Sequence, residues 1–183
     1  MPTQAVVDEP SDHDATAVGA VHLRSWHETY DHAPGLDAAW VDEHVGPMAS
    51  PAADEFRRAV FAAQRADPSR TLYRVARAGG EVVGFVHASV QQHQDDDDEV
   101  RLEGLYLLCS EHGTGLADRM LGEALAWAGA RAVVLEASPL SVRSVPFYRR
   151  HGFEPTGETG LFRDRVPTVS LRRAAPDRGR PRT

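Results

Sequence analysis

Residues 72 to 90 constrain the fold more than any other part of the chain. Leu72, Arg74 and Ala76 alternate with Tyr73, Val75 and Arg77, Gly79-Gly80 follows, and a second extended stretch runs from Val82 to Val90. Two period-two stretches joined by a two-residue Gly-Gly loop form an antiparallel hairpin, because glycine reaches the positive φ values that such a tight loop needs. The polar segment Gln91 to Asp98 leads to a third strand, Val100 to Leu108, which extends the hairpin into a meander.

Helical spacing flanks this meander on both sides. A short strand at Ala5-Val6-Val7 precedes a helix that Ser11 or Asp14 can cap, with Val18, Val21, Leu23, Trp26 and Tyr30 on its apolar stripe and Pro34-Gly35 at its end. Two further helices span Leu36 to Val45 and Ala52 to Ala66. After Gly115, Ala117, Met120, Leu121, Ala124, Leu125 and Ala128 recur at helical spacing, and Gly129 closes that helix. Ala132 to Leu135 is continuously apolar, as suits a strand buried on both faces and parallel to a neighbour. A helix over Ser141 to Arg150, a stop at His151-Gly152 and strands near Phe153 to Thr156 and Val166 to Leu171 complete the order. The expectation is a single α+β domain with a mixed, mostly antiparallel central sheet flanked by helices. It covers residues 1–173, with a disordered Arg/Pro-rich tail at 174–183.

A chain of 183 residues suits one domain. Its net charge is -7, and residues 171–183 hold +4 of the total, so the remainder carries -11. An acidic body repels phosphate backbones, which argues against nucleic acid and favours amine-bearing small molecules. The same carboxylates also serve solubility. No Lys, Ile or Asn occurs, which reads as a high-GC bacterial genome. The single cysteine, Cys109, forms no internal disulfide, and no Cys or His pairs stand at zinc spacing, so no metal is expected. Neither an apolar membrane span nor a secretory leader is visible, which points to a cytoplasmic protein. The sequence leaves oligomeric state open, a homodimer included.

The chemistry concentrates where the third meander strand ends, at Leu105-Tyr106-Leu107-Leu108-Cys109-Ser110-Glu111-His112-Gly113-Thr114-Gly115-Leu116-Ala117. Glycines opening a helix let backbone N–H groups approach an anion at the positive end of the helix dipole, and a pyrophosphate fits there. An ordinary tight strand-to-helix turn needs the same glycines. The Gly-Lys-Ser/Thr ending of a P-loop is missing, and so is the dinucleotide fingerprint.

In this context the sequence resembles the GNAT superfamily of N-acyltransferases, whose acetyl-CoA loop reads Q/R-x-x-G-x-G/A after a strand of Leu-Tyr-Val type. Residues His112 to Ala117 match the small positions, with His112 where Gln or Arg is usual. Ser141 to Phe153 resembles the family's N-x-x-A-x-x-F-Y-x-x-x-G-F, matching at Phe147-Tyr148 and Gly152-Phe153, with Ser141 and Ser144 at the Asn and Ala positions. The resemblance implies acetyl-CoA as acyl donor, bound by Leu105, Tyr106, Leu107, His112, Gly113, Thr114, Gly115, Leu116, Ala117 and Ser141. It also implies that the strand carrying Leu105 splays from the strand at Ala132 to Ala137, that a backbone N–H near Leu107 polarises the thioester, and that Tyr148 is the general acid for the leaving thiolate.

Each role has a plainer counterpart. Tyr148 can be a half-buried packing aromatic. Glu103, two residues before Leu105 and hence on the same strand face, is a candidate general base or a salt-bridged surface group. His93 and Asp95 to Asp98 form an acidic lip over an amine entrance or a solvated loop. His22, His27 and Trp26 lie on a helix that borders the acceptor pocket in related folds, and Trp26 and Tyr30 read as core or pocket wall. Cys109 reads as a structural thiol, since direct transfer to an amine requires no nucleophile. The sequence thus points to an acetyl-CoA-dependent N-acetyltransferase acting on a small-molecule amine. Acyl transfer to protein termini or side chains, and an acyl-CoA-binding regulatory or assembly module without turnover, are the alternatives.

Overall fold

The structure, a computed structural model, describes residues 5–92 and 98–176. The acidic run through Asp97 and the tail beyond Pro176 lie outside the described residues. The elements in order are β1 (Val6–Asp8), α1 (Asp14–Tyr30), α2 (Ala38–His44), a 3₁₀ turn (Gly46–Ala49), α3 (Pro51–Ala66), β2 (Thr71–Ala78), β3 (Glu81–Gln91), β4 (Glu99–Leu107), a 3₁₀ turn (Cys109–Glu111), α4 (Leu116–Ala128), β5 (Val133–Ala137), α5 (Ser144–Arg150), β6 (Glu154–Phe162) and β7 (Val166–Arg173). Seven strands form one sheet in the order β1-β2-β3-β4-β5-β7-β6. Every neighbouring pair is antiparallel except β4 and β5, which are parallel.

Local chemistry places the helices. Asp37 accepts from the Trp40 N–H (2.8 Å) at the start of α2, and Ser50 accepts from the Ala53 N–H (3.3 Å) with Pro51 as the first residue of α3. Ser11 and Asp14 both act at α1: the Asp14 carboxylate takes the Ser11 N–H (2.7 Å) and hydroxyl (2.8 Å). Gly79 and Gly80 turn the β2–β3 hairpin with φ of +59° and +93°.

Two layers cover the sheet. On one face, Phe61 of α3 meets Tyr73 edge-on with ring centroids 4.8 Å apart, and Tyr73 stacks on Phe85. On the other, α4 buries Leu116, Met120 and Leu121, and its Glu123 reaches Arg74 (3.1 Å). A smaller core of Trp26, Tyr30, Leu36, Trp40, Val41, Val45 and Val166 joins α1 and α2 to the start of β7.

Two boundaries differ from the sequence expectation by three residues or more. The helix expected from Ser141 begins at Ser144, because the Ser144 hydroxyl bonds the carbonyls of Ser138 and Ser141 (3.0 Å each) and holds the preceding residues in a turn. The strand expected over Phe153 to Thr156 runs on to Phe162, through a register irregularity between Pro155 and Thr159 where Gly157 has φ +92°.

Candidate active site

β4 and β5 are paired only at Val100/Val133 and Arg101/Val134, after which β4 continues to Leu107 with a strand neighbour on its β3 side alone. The splay opens a cleft of about 1430 Å³ between the two strands. The Leu108 N–H donates to the Val83 carbonyl on β3 (3.0 Å). By strand alternation, the backbone groups of Leu105 and Leu107 therefore point away from β3 and into the cleft. Gly84 makes this path possible, because a Cβ there would lie 2.6 Å from Leu107 Cδ1 and 2.8 Å from the Tyr106 carbonyl oxygen.

At one end of the cleft the chain turns into α4. Gly113 and Gly115 have φ of +80° and +81°, a region that side chains disfavour, and the cap of α4 is Gly115 itself. The N–H groups of Gly113, Gly115 and Ala117 meet no acceptor among the described residues, so they are available to an anion at the helix N-terminus. His112, Gly113, Gly115 and Ala117 line the cleft. Thr114 and Leu116 do not: the Thr114 hydroxyl donates to the Glu111 carbonyl (2.8 Å) and accepts from the Leu116 N–H (3.3 Å), and Leu116 is sealed in the core. These two residues shape the loop from behind. Ser141 lines the opposite wall.

Tyr148 lies on α5, buried edge-on against Phe147 and Phe153, and its ring also lines the cleft. Its hydroxyl has no hydrogen-bond partner among the described residues. Burial, reinforced by the neighbouring Tyr106 phenol, pushes its pKa above the usual range, so it is a neutral proton donor at any ordinary pH.

Glu103 is not on the face of Leu105, as expected from a regular strand. Gly104 pairs with His87 and Leu102 with Ala88, so Glu103 is the extra residue of a β-bulge. The bulge shifts the alternation by one. Leu105 then shares the α4 face with Leu102, while Glu103 joins Ser89 and Arg101 on the opposite face of the sheet. Its carboxylate accepts from the Ser89 hydroxyl (2.7 Å), lies 3.5 Å from Arg101 Nε, and still lines the cleft.

On the same face, Trp26 and Tyr30 of α1 wall the cleft with Phe162 of β6, the rings of Trp26 and Phe162 lying 5.1 Å apart. His22 turns inward instead and packs at a tilt against Tyr106, with ring centroids 4.2 Å apart. Burial and the nearby Arg57 cation lower its pKa to about 4, which keeps it neutral. His27 bridges Asp31 (2.8 Å) and Asp42 (3.1 Å), fastening α2 to α1. Cys109 is exposed and donates its N–H to Glu28 (2.7 Å), and partial desolvation together with the Glu28 carboxylate raises its thiol pKa, which makes it a weak nucleophile. Sequence reasoning passed over Glu28, Arg101, Glu136 and Arg143, all of which line the cleft. Glu28 sat on the flagged helix, but the others carry no local signal.

The Acetyltransferase (GNAT) family model matches residues 37–153. N-acetyltransferases described as uncharacterized from Mycobacterium bovis and Mycobacterium tuberculosis are 37% identical over 106 residues, which is 56% of this chain and 64% of theirs. Among solved structures, the paia N-acetyltransferase of Thermoplasma acidophilum, in complex with coenzyme A, superposes with a TM-score of 0.77 at 16% identity over 94% of this chain and 99% of that one. A GNAT-family acetyltransferase of Streptococcus pneumoniae gives 0.73 at 19% identity, over 94% of this chain and 100% of that one. At such identities these likenesses show the fold.

Proposed function

The chain belongs to the acetyltransferase (GNAT) family, and from that premise we propose that it moves an acetyl group from acetyl-CoA directly to the amine of a small-molecule acceptor. The observation that carries the reading is the cleft itself: a β4 edge that β5 leaves unpaired at Leu105 and at the Leu107 N–H leads to the unpaired amides of Gly113, Gly115 and Ala117, with a neutral phenol on the wall. A pantetheine arm has amides that pair with such an edge, and a pyrophosphate has the charge that such a helix start attracts.

The bound donor supplies an activated acyl thioester. The Leu107 N–H, aimed into the cleft, polarises the thioester carbonyl and stabilises the negative charge that develops on its oxygen. Glu103, on the acceptor side of the sheet, accepts the proton of the incoming ammonium, directly or through water. The Tyr148 hydroxyl donates a proton to the departing sulfur. Because burial raises the phenol's pKa, its proton moves only as negative charge builds on the sulfur, and the residue acts chiefly as a hydrogen-bond donor late in C–S cleavage.

The acceptor wall combines the rings of Trp26, Tyr30 and Phe162 with the carboxylates of Glu28, Glu103 and Glu136, which suits an amine with apolar bulk. The test is release of free CoA thiol from acetyl-CoA across a panel of small amines, amino acids and peptides. Amine-dependent release with a matching acetylated product supports the reading. Binding of acetyl-CoA without turnover for any acceptor overturns it in favour of a non-catalytic acyl-CoA module.

A further inference from the structure

His112 joins the two walls of the cleft. Its Nε2 lies 3.3 Å from the Leu107 carbonyl oxygen at the end of β4, and its Nδ1 lies 2.6 Å from Arg143 Nη1 in the loop between β5 and α5. A carbonyl only accepts and a guanidinium only donates, so both contacts are made together by one species alone: neutral imidazole with its proton on Nε2. Arg143 has no carboxylate partner among the described residues, unlike Arg150, whose guanidinium is held by Asp118 (2.8 Å). An exposed arginine without a counter-ion is thus fixed within one residue of the glycine loop.

We propose that His112 is a positioning residue that, in its neutral form, ties Leu107 to Arg143 and holds the Arg143 guanidinium at the anion end of the cleft to grip a phosphate of the acyl donor. The inference rests on the acetyl-CoA reading above and adds a residue pair that the glycine loop does not require. Protonation of His112 turns Nδ1 into a donor and sets two cations against each other, so Arg143 is released. The charged and titratable groups around the pair are Arg143 itself, Glu111 and Cys109 on the same segment, and Glu28 and Arg24 of α1 behind Cys109. None of them makes a hydrogen bond or ion pair with the Arg143 guanidinium.

The experiment titrates the full chain with CoA by calorimetry at pH 7.5 and 5.5, across the range in which imidazoles change charge. His112→Gln is the conservative control, since an amide offers one acceptor and one donor and does not titrate. It also absorbs the titration of the ligand's own phosphate. Wild-type affinity is expected to fall about tenfold more than that of His112→Gln on acidification, the size of one charge-assisted contact. Arg143→Ala is expected to lose about tenfold at pH 7.5 and to show no excess pH dependence. Side-chain ¹⁵N NMR of wild-type His112 at pH 7.5, which needs no variant, should show the Nε2–H tautomer. Parallel pH profiles, an affinity that rises on acidification relative to His112→Gln, or an Nδ1–H tautomer each overturn this proposal alone. A wild-type protein that binds no CoA at either pH overturns the acetyl-CoA reading together with it.

Discussion

Arg77 on β2 grips Asp14, the first residue of α1, with two parallel hydrogen bonds of 2.8 and 2.7 Å. The same carboxylate accepts from Ser11, so one side chain fixes both the entry into α1 and its tie to β2. The Arg77 contact, aided by the Ser11 donors and opposed by partial burial, lowers the Asp14 pKa from 3.8 to about 2. A carboxylate more acidic in the folded than in the unfolded chain stabilises the fold above its unfolded pKa and loses that contribution as pH falls toward the folded value. The expected loss is about 2 kcal/mol between pH 4 and pH 2. Urea unfolding at several pH values should show this decline in the wild type and a shallower one in Asp14→Asn, which is expected to start about 2 kcal/mol less stable at neutral pH. Equal slopes would show that Asp14 is not the group responsible.

Gly84→Ala should disturb the cleft from the far side of β4. Its Cβ would meet the Leu107 side chain and the Tyr106 backbone well inside contact distance, and backbone cannot move aside cheaply. A cost of about 1–3 kcal/mol in thermal or urea unfolding is expected, with CoA affinity reduced as β4 shifts. Wild-type stability in this variant would mean that β4 tolerates displacement there.

Gly115→Asp should weaken acetyl-CoA binding by about 2 kcal/mol or more, roughly thirtyfold in Kd, through charge repulsion at the anion site and strain at φ +81°. Calorimetry on the folded variant measures it, with circular dichroism to confirm the fold. Unchanged affinity would place the pyrophosphate elsewhere.

Tyr148→Phe deletes a hydroxyl that holds no protein partner, so the sheet and CoA affinity should be preserved while kcat falls at least about tenfold. Because burial raises the phenol's pKa, the wild-type rate should show no alkaline decline from Tyr148 up to about pH 10. Full kcat in the variant would leave Tyr148 a packing residue. Lost CoA binding would make its hydroxyl a ligand contact.

Much of this architecture was legible without coordinates because it is encoded locally. The Gly79-Gly80 hairpin and the glycines opening α4 each depend on a few consecutive residues whose backbone preferences leave few solutions. The apolar run at 132–135 likewise announced a strand parallel to a neighbour, and β5 lies parallel to β4, but the expected burial on both faces does not hold, because Val134 is half-buried and Glu136 exposed on the face that opens on the cleft. The length of β6 was hidden, since Pro155, Gly157 and Gly160 read as loop until β7 supplies the pairing that holds them extended.

The sequence by itself determined the order of the elements, the antiparallel meander and the positive-φ turn at Gly113 and Gly115, because backbone sterics and hydrophobic periodicity act over a few residues. Tertiary structure alone decided which face Glu103 occupies, since a one-residue bulge against β3 reverses every side chain beyond it. It alone brought His112 to Arg143, 31 residues further along, because the end of β4 and the loop after β5 become neighbours only when the sheet forms and then parts.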